Sequence, residues 1–244
     1  MTTQTPPSLG ILLLDRGEPA RPSKTRGSLS TPETFDFPVL LETVPGAWAD
    51  SVVRGDPGLE PAYVAAAKRL VERDAAAIIS NCGFTIRYQG AVAAAVNVPV
   101  AMSSLLLLPL LLRQAPKQAK IAVATFDSTR LREELLGIDD RADRARIVIG
   151  GIEGSDFWHD EMKRPPAWSG TAGLEKDVVA CLARLRAKHP EVAAVLLECT
   201  AFPMVSAAVR SSTKLPVYDI TDLARMTHAS VARPIRHHSR MKSS

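Results

Sequence analysis

Two of the three cysteines in this 244-residue chain occupy matching points of a repeated pattern. Cys82 comes shortly after the apolar run 76–79, and Cys199 comes shortly after the apolar run 193–197. The same offset of 117 residues relates Val-Pro-Val at 98–100 to Leu-Pro-Val at 215–217. Because a thiol can give or take a proton, two thiols on opposite walls of one cleft could exchange protons with both faces of a single carbon.

This matched pair is better explained by chemistry than by packing. A single cysteine at the end of an apolar strand is more often a small core residue than a reactive one. Here, however, the flanking residues have diverged, with Gly83 at the place of Thr200, while the cysteines are the same. Cys181 aligns with Ala66 inside a predicted helix, so we interpret it as a packing residue.

The repeat predicts an α/β fold of two pseudo-symmetric lobes, each a parallel sheet flanked by helices, with the active site in the cleft between them. Continuous apolar runs at 9–14 and 120–125 open the two halves, as expected of strands buried on both faces. The predicted boundaries are 1–112 plus 219–244 for the N-terminal lobe and 113–218 for the C-terminal lobe. Ligands of such sheets bind beyond the carboxyl ends of the strands, where both cysteines lie.

The segments around the strands carry further expectations. A helix beginning after each cysteine would lower the thiol pKa through its free N–H groups and dipole. Residues 15–37 and 150–170 are predicted to be long loops, the first acting as a lid or substrate loop. Asp127 or Ser128 is expected to cap a helix that ends at Leu136, and residues 216–220 are predicted to form a strand.

Composition excludes several classes of protein. The net charge is only +4, acidic and basic residues are interleaved, and aromatic residues are 5%, which argues against a nucleic-acid partner. The longest apolar run, 105–112, contains Pro109 and falls short of the roughly 20 residues that span a bilayer. The first eight residues lack a signal-peptide pattern, so we expect a cytoplasmic protein. No CxxC pair or ligand-spaced histidines occur, so we expect neither a metal nor another cofactor.

The two cysteine motifs, Ser80-Asn81-Cys82-Gly83-Phe84 and Leu197-Glu198-Cys199-Thr200, resemble those of the aspartate/glutamate racemase superfamily. The stretch 27–35 before Phe37-Pro38-Val39 is similar to a poorly characterised branch of it, although Ser28, Ser30 and Thr31 depart from that branch. Glutamate racemases have Cys-Asn-Thr and Cys-Thr-His at these motifs, and only Thr200 carries over here. The resemblance therefore implies a substrate other than glutamate.

The resemblance implies a cofactor-independent racemase or epimerase that inverts a carbon next to a carboxylate or carbonyl, in an amino acid or related compound. Cys82 and Cys199 are the expected catalytic acid and base. The residues expected to bind substrate are Asn81, Gly83, Phe84, Thr200, Asp15, Thr31, Ser103 and Thr125. Arg16 could bind a carboxylate or be merely solvated, and Glu198 could tune Cys199 or accept a backbone hydrogen bond. The expected partner is a small carboxylate substrate, and homo-oligomerisation is left open.

Three rival functions remain at this stage. A cis–trans isomerase on the same scaffold would use one cysteine as a covalent nucleophile. A decarboxylase of the superfamily keeps one cysteine of the pair, so the intact pair argues against that activity. A ligand-binding protein without turnover is the third, since a fold does not fix a function.

Overall fold

The computed structural model describes residues 6–17, 25–167 and 170–232, and it contains two four-stranded parallel sheets. The first sheet has the order β2-β1-β3-β4, from β1 (Ser8–Leu13), β2 (Val39–Thr43), β3 (Ala75–Ser80) and β4 (Val100–Ala101). The second has the order β6-β5-β7-β8, from β5 (Lys120–Thr125), β6 (Ile147–Gly151), β7 (Val192–Leu197) and β8 (Val217–Tyr218). The prediction of two lobes of α/β class is confirmed.

The register of the strands repeats as well as their order. Leu9 pairs with Ala77 in the first sheet, and Ile121 pairs with Ala194 in the second. An irregularity precedes each of these pairs, at Ser8/Leu9 and at Lys120/Ile121. The two central strands of each sheet are almost wholly buried, which explains why their sequences are continuous apolar runs.

Helices cover the faces of both sheets. They are α1 (Ala49–Arg54), α2 (Glu60–Glu72), α3 (Gln89–Ala95), α4 (Leu108–Gln114), α5 (Arg141–Arg144), α6 (Asp156–Glu161), α7 (Thr171–Lys188), α8 (Ser206–Thr213) and α9 (Ile220–Val231). Short 3-10 helices occupy Pro32–Thr34, Pro57–Leu59, Gly83–Tyr88, Ser104–Leu107, Glu133–Leu136 and Phe202–Val205. Helix α9 packs on the first sheet, which agrees with the assignment of its residues to the N-terminal lobe. The exact lobe boundaries stay a prediction.

Three local predictions differ from the structure. Asp127 caps no α-helix: one of its carboxylate oxygens accepts hydrogen bonds from the N–H and hydroxyl of Thr129, in a turn. The strand predicted at 216–220 is shorter, because the side chain of Asp219 caps α9 through a capping box. The loop predicted at 150–170 contains α6, whose first turn is capped by Ser155.

No helix among the described residues has the length and apolarity needed to cross a membrane. Part of the predicted lid loop, residues 18–24, lies outside the described residues, as do both ends of the chain.

Candidate active site

Both cysteines lie just beyond the carboxyl ends of central strands. The N–H of Asn81 donates to the carbonyl of Leu12 (2.9 Å), and the N–H of Glu198 donates to the carbonyl of Ala124 (2.8 Å). These equivalent bonds extend each sheet by one residue before the chain turns into a 3-10 helix. The repeat therefore presents Cys82 and Cys199 at the same edge of their respective sheets.

The two cysteines line one cavity of about 60 Å³. Its remaining walls combine apolar, aromatic and acidic side chains with one arginine: Leu14, Arg16, Ala49, Val53, Asn81, Gly83, Phe84, Phe126, Phe157, Glu161, Glu198, Thr200 and Ala201. An outer cavity of about 350 Å³ shares Arg16, Asn81, Phe157, Glu161, Thr200 and Ala201 with it. The thiols thus face an inner chamber that continues into a wider one.

Neither thiol in this cavity ionises readily. Burial raises the pKa of Cys82 to about 12, and the nearby Glu198 carboxylate adds to the increase. The pKa of Cys199 is raised well above its ordinary value for the same two reasons. Backbone N–H groups of Phe84 and Thr85 act in the opposite direction on Cys82. The expectation of a lowered thiol pKa is wrong here, because burial destabilises the thiolate by more than these N–H groups stabilise it.

Glu198 is a fully buried carboxyl group within this site. One of its oxygens accepts a hydrogen bond from the hydroxyl of Thr125 (2.7 Å), and the backbone N–H of Phe126 also donates to the carboxylate. Among the described residues its other oxygen, Oε1, has no hydrogen-bond partner. Burial raises the pKa of Glu198 to about 7. Both roles considered for Glu198 from the sequence, accepting a backbone hydrogen bond and tuning Cys199, are present together.

The equivalent position of the first lobe holds an amide instead. The side-chain oxygen of Asn81 accepts a hydrogen bond from the backbone N–H of Leu14 (2.7 Å). That bond corresponds to the one from Phe126 to Glu198. The duplication therefore keeps the backbone contact in both lobes, while only the second lobe places a titratable group beside the thiols.

Gly83 is required by this carboxyl group. A Cβ on Gly83 would lie 2.1 Å from Oε1 of Glu198 and 2.3 Å from its carbonyl oxygen, far inside van der Waals contact. Across the same junction, the hydroxyl of Thr200 donates to the carbonyl of Asn81. The two lobes therefore meet directly beneath the cavity.

An ion pair between the lobes forms another wall. The guanidinium of Arg16 makes two hydrogen bonds to the carboxylate of Glu161, at 2.7 and 3.2 Å. Glu161 is the last residue of α6 and is buried. The guanidinium of Arg16 is therefore neither free to bind a substrate carboxylate nor simply solvated.

The structure places the predicted substrate-binding residues in three groups. Asn81, Gly83, Phe84 and Thr200 line the cavity with the cysteines. Thr125 lies behind it and contacts Glu198. The other three are not among the cavity's lining residues: Asp15 accepts hydrogen bonds from the N–H groups of Gly17 and Gly46, Thr31 donates to the carbonyl of Thr25, and Ser103 caps the 3-10 helix at 104–107.

Among the lining residues that were not singled out from the sequence, three are aromatic or acidic: Phe126, Phe157 and Glu161. Phe126 stands in the second lobe where Leu14 stands in the first, directly after an opening strand, so the repeat itself could have indicated it. Phe157 and Glu161 belong to α6, in a segment predicted to lack structure. No local signal in that segment points to the cavity.

Comparison with known proteins shows relatives along most of this chain. No family model matches it. A dimethylsulfoniopropionate lyase of Durusdinium sp. clade D is 32% identical over 224 residues, covering 87% of this chain and 71% of the relative. Dimethylsulfoniopropionate lyase 3 of Emiliania huxleyi (strain CCMP1516) is 30% identical over 233 residues, covering 87% of this chain and 57% of the relative.

Solved structures share the fold at low sequence identity. Allantoin racemase from Klebsiella pneumoniae has a TM-score of 0.63 at 10% identity, covering 91% of this chain and 86% of that one. Glutamate racemase from Francisella tularensis has a TM-score of 0.55 at 13% identity, covering 91% and 79%. Unliganded arylmalonate decarboxylase has a TM-score of 0.53 at 15% identity, covering 94% and 97%.

The chain belongs to one family with these dimethylsulfoniopropionate lyases. It shares the fold of racemases and of a decarboxylase, as the resemblance carried by the two cysteine motifs implies. The protein is an enzyme: its family relatives are named as lyases, while the solved structures that share its fold are isomerases and a decarboxylase. Its own reaction has to be argued from the cavity.

Proposed function

We propose that this protein is a cofactor-independent lyase that removes a proton from the carbon next to a carboxylate and expels a sulfonium group from the adjacent carbon. The substrate class is a dimethylsulfonio carboxylate, as in the names of the relatives. One observation carries the proposal: the thiols of Cys82 and Cys199 share a cavity whose other walls are aromatic and acidic.

The walls suit a substrate with a cationic end. The rings of Phe84, Phe126 and Phe157 line the cavity, and aromatic faces attract cations by about 0.5–2 kcal/mol. The carboxyl groups of Glu161 and Glu198 add negative charge nearby. Arg16 offers a guanidinium to the substrate carboxylate, provided that its ion pair with Glu161 rearranges when substrate binds.

A cationic substrate would also lower the pKa of the thiols. Burial and the charge of Glu198 hold both thiol pKa values high. A sulfonium cation bound beside them favours the charged thiolate over the neutral thiol. Substrate binding would therefore help to generate the base that acts on the substrate.

The reaction is balanced without an added reagent. A thiolate takes the proton from the carbon next to the carboxylate, and the electron pair left behind forms a carbon–carbon double bond. The bond from the adjacent carbon to sulfur breaks, and dimethyl sulfide leaves with the electron pair of that carbon–sulfur bond. The backbone N–H of Phe84, beside Cys82, is placed to stabilise negative charge that develops on the carboxylate.

The test is direct measurement of both products. Purified protein incubated with dimethylsulfoniopropionate should release dimethyl sulfide and the unsaturated acid in equal amounts, with no added metal or cofactor. Gas chromatography measures the sulfide and proton NMR measures the acid. Absence of both products, from protein whose fold is verified by circular dichroism, would reject the lyase.

The racemase expected from the sequence remains a second candidate. The observation in its favour is that both cysteines occupy equivalent positions around one cavity, whereas elimination needs only one base. A racemase would exchange the substrate proton with deuterated water and interconvert enantiomers without forming an alkene. Amino acids and hydantoins incubated in deuterated water and followed by NMR and chiral chromatography separate the two functions.

A further inference from the structure

Among the described residues that line the cavity, Glu198 alone has a buried polar side-chain atom without a hydrogen-bond partner. Its side chain is completely buried, and within the described part of the chain Oε1 has no partner. A buried unpaired carboxylate oxygen is costly, so such an atom calls for an explanation. The opposite oxygen is fixed by Thr125, which also fixes where Oε1 points.

Oε1 lies against the chain that carries the other thiol. The missing side chain of Gly83 leaves the space that Oε1 fills, next to Cys82 in the sequence, while Glu198 itself adjoins Cys199. Its charge acts on both thiols and is, after burial, the largest influence on each. The other charged groups that face this set are Glu161, held by Arg16, and Arg87, which stabilises the Glu198 carboxylate.

We propose that Glu198 and the thiols of Cys82 and Cys199, which line one cavity, form a linked proton-binding set in which a thiolate forms when Glu198 holds a proton. The proton held by the carboxyl then replaces the one lost by sulfur, so these three groups together carry one negative charge until a second proton is lost at much higher pH. Glu198 acts through the thiols, and it is therefore a positioning residue. The inference concerns the same site as the proposed lyase, but its test needs no substrate.

Proton exchange within one cavity has a distinct dependence on pH. Above the pKa of Glu198, near 7, the site has lost one proton. The ratio of molecules that lack this proton on Glu198 to molecules that lack it on a thiol does not change with pH. The fraction of thiolate then stays constant until a second proton is lost at much higher pH. Without Glu198, the thiolate fraction would keep rising about tenfold per pH unit until it saturates.

The experiment measures alkylation of each cysteine by iodoacetamide between pH 6 and 9, with peptide mapping. In the parent protein the rates at Cys82 and Cys199 should rise to about pH 7 and then level off. In Glu198→Gln they should match the parent at pH 6 and exceed it about 100-fold at pH 9, two pH units above the titration of Glu198. Identical profiles in the two proteins would overturn the proposal.

Two controls separate proton exchange from a structural effect. Glu153→Gln neutralises a partly buried carboxyl near Cys181 and should leave the profiles of Cys82 and Cys199 unchanged. Thr125→Val removes a donor that lowers the pKa of Glu198, so the level region should begin at higher pH. This second variant also keeps the proposal open to refutation if Glu198→Gln fails to fold. An unmoved profile in Thr125→Val would count against it.

Discussion

The thiols of Cys82 and Cys199 are the atoms on which any proton transfer in this cavity depends. The proposed elimination uses one thiolate as base, so we expect Cys82→Ser or Cys199→Ser, whichever removes that base, to lower turnover by at least about 100-fold, the usual contribution of a positioned acid or base. A racemase would lose turnover in both variants. A hydroxyl is far less acidic than a thiol, while the size of the side chain hardly changes. Initial rates of product formation by each purified variant measure the effect.

Cys181 provides the matched control for these substitutions. It is buried in α7, away from the cavity, and burial raises the pKa of its thiol to about 11. Cys181→Ser should keep parental turnover, although an unpaired buried hydroxyl would lower the free energy of unfolding by about 1–3 kcal/mol. Near-parental turnover in both of the other two variants would contradict the assignment of the site.

Burial of Glu198 also makes stability depend on pH. Its pKa rises from 4.5 in the ordinary state to about 7 in the folded protein, so the folded state binds this proton more tightly. The resulting stabilisation is complete below about pH 4.5 and is lost as pH rises through 7. Glu198→Gln should therefore gain about 3 kcal/mol relative to the parent between pH 4.5 and pH 8. Urea unfolding at both pH values measures this difference, and an unchanged difference would show that Glu198 is not desolvated.

Gly83 and Gly90 form a matched pair of glycines for substitution. Alanine at position 83 would overlap the side chain and the carbonyl of Glu198, whereas alanine at position 90 would meet no atom within 4 Å. We expect Gly83→Ala to displace Glu198 and reduce both stability and turnover. Gly90→Ala, in α3, should instead stabilise the protein by about 0.5–1 kcal/mol. Thermal unfolding with activity assays distinguishes them, and a harmless Gly83→Ala would contradict the close contact.

At the scale of the elements, the strands and the two cysteine motifs could be predicted from the sequence, because buried parallel strands leave continuous apolar runs. The prediction reached Asn81, Gly83, Phe84 and Thr200 for the same reason, since they flank the cysteines. It missed Glu161, because α6 is short and polar and reaches the cavity only through tertiary contacts. Thiol ionisation was misjudged because the depth of burial cannot be seen in a local motif.

Helix α6 and the residues after it are held to the first lobe by Arg164. Its guanidinium makes hydrogen bonds to both carboxylate oxygens of Asp50 (2.7 and 2.8 Å) and to Ser51 (2.6 Å), and it lies over the ring of Trp48. Arg164→Gln should release this segment, so amide hydrogen exchange should accelerate in residues 156–167. The free energy of unfolding should fall by no more than about 1 kcal/mol, because the pair is partly exposed.

Lys163 supplies the comparison for this variant. Its ion pair with Asp160 stays within the same segment and joins nothing to the first lobe. Lys163→Gln should therefore leave hydrogen exchange in 156–167 at the parental rate. Equal acceleration in both variants would mean that Arg164 does not fasten the lobes together.

For the molecule as a whole, the two-lobed arrangement supplies acids and bases from both sides of one cavity. The described residues contain no group of three or more His, Cys, Asp or Glu side chains arranged to hold a metal ion. We expect turnover to survive dialysis against a chelator and to be unchanged by pyridoxal phosphate. Activity that is lost on dialysis and restored by zinc or manganese would contradict this expectation.

The contacts between the lobes differ in kind from one side of the cavity to the other. On the inner side they are hydrogen bonds from hydroxyls to backbone carbonyls, Thr200 to Asn81 and Ser104 to Leu197, which salt hardly weakens. Around the opening they are the ion pairs of Arg16 with Glu161 and of Arg164 with Asp50, whose arginines are nearly half exposed. Attraction between exposed charges is screened over about 8–10 Å at 0.10–0.15 M salt. Ionic strength should therefore set how fast small solutes exchange with the cavity, and leave its inner shape unchanged.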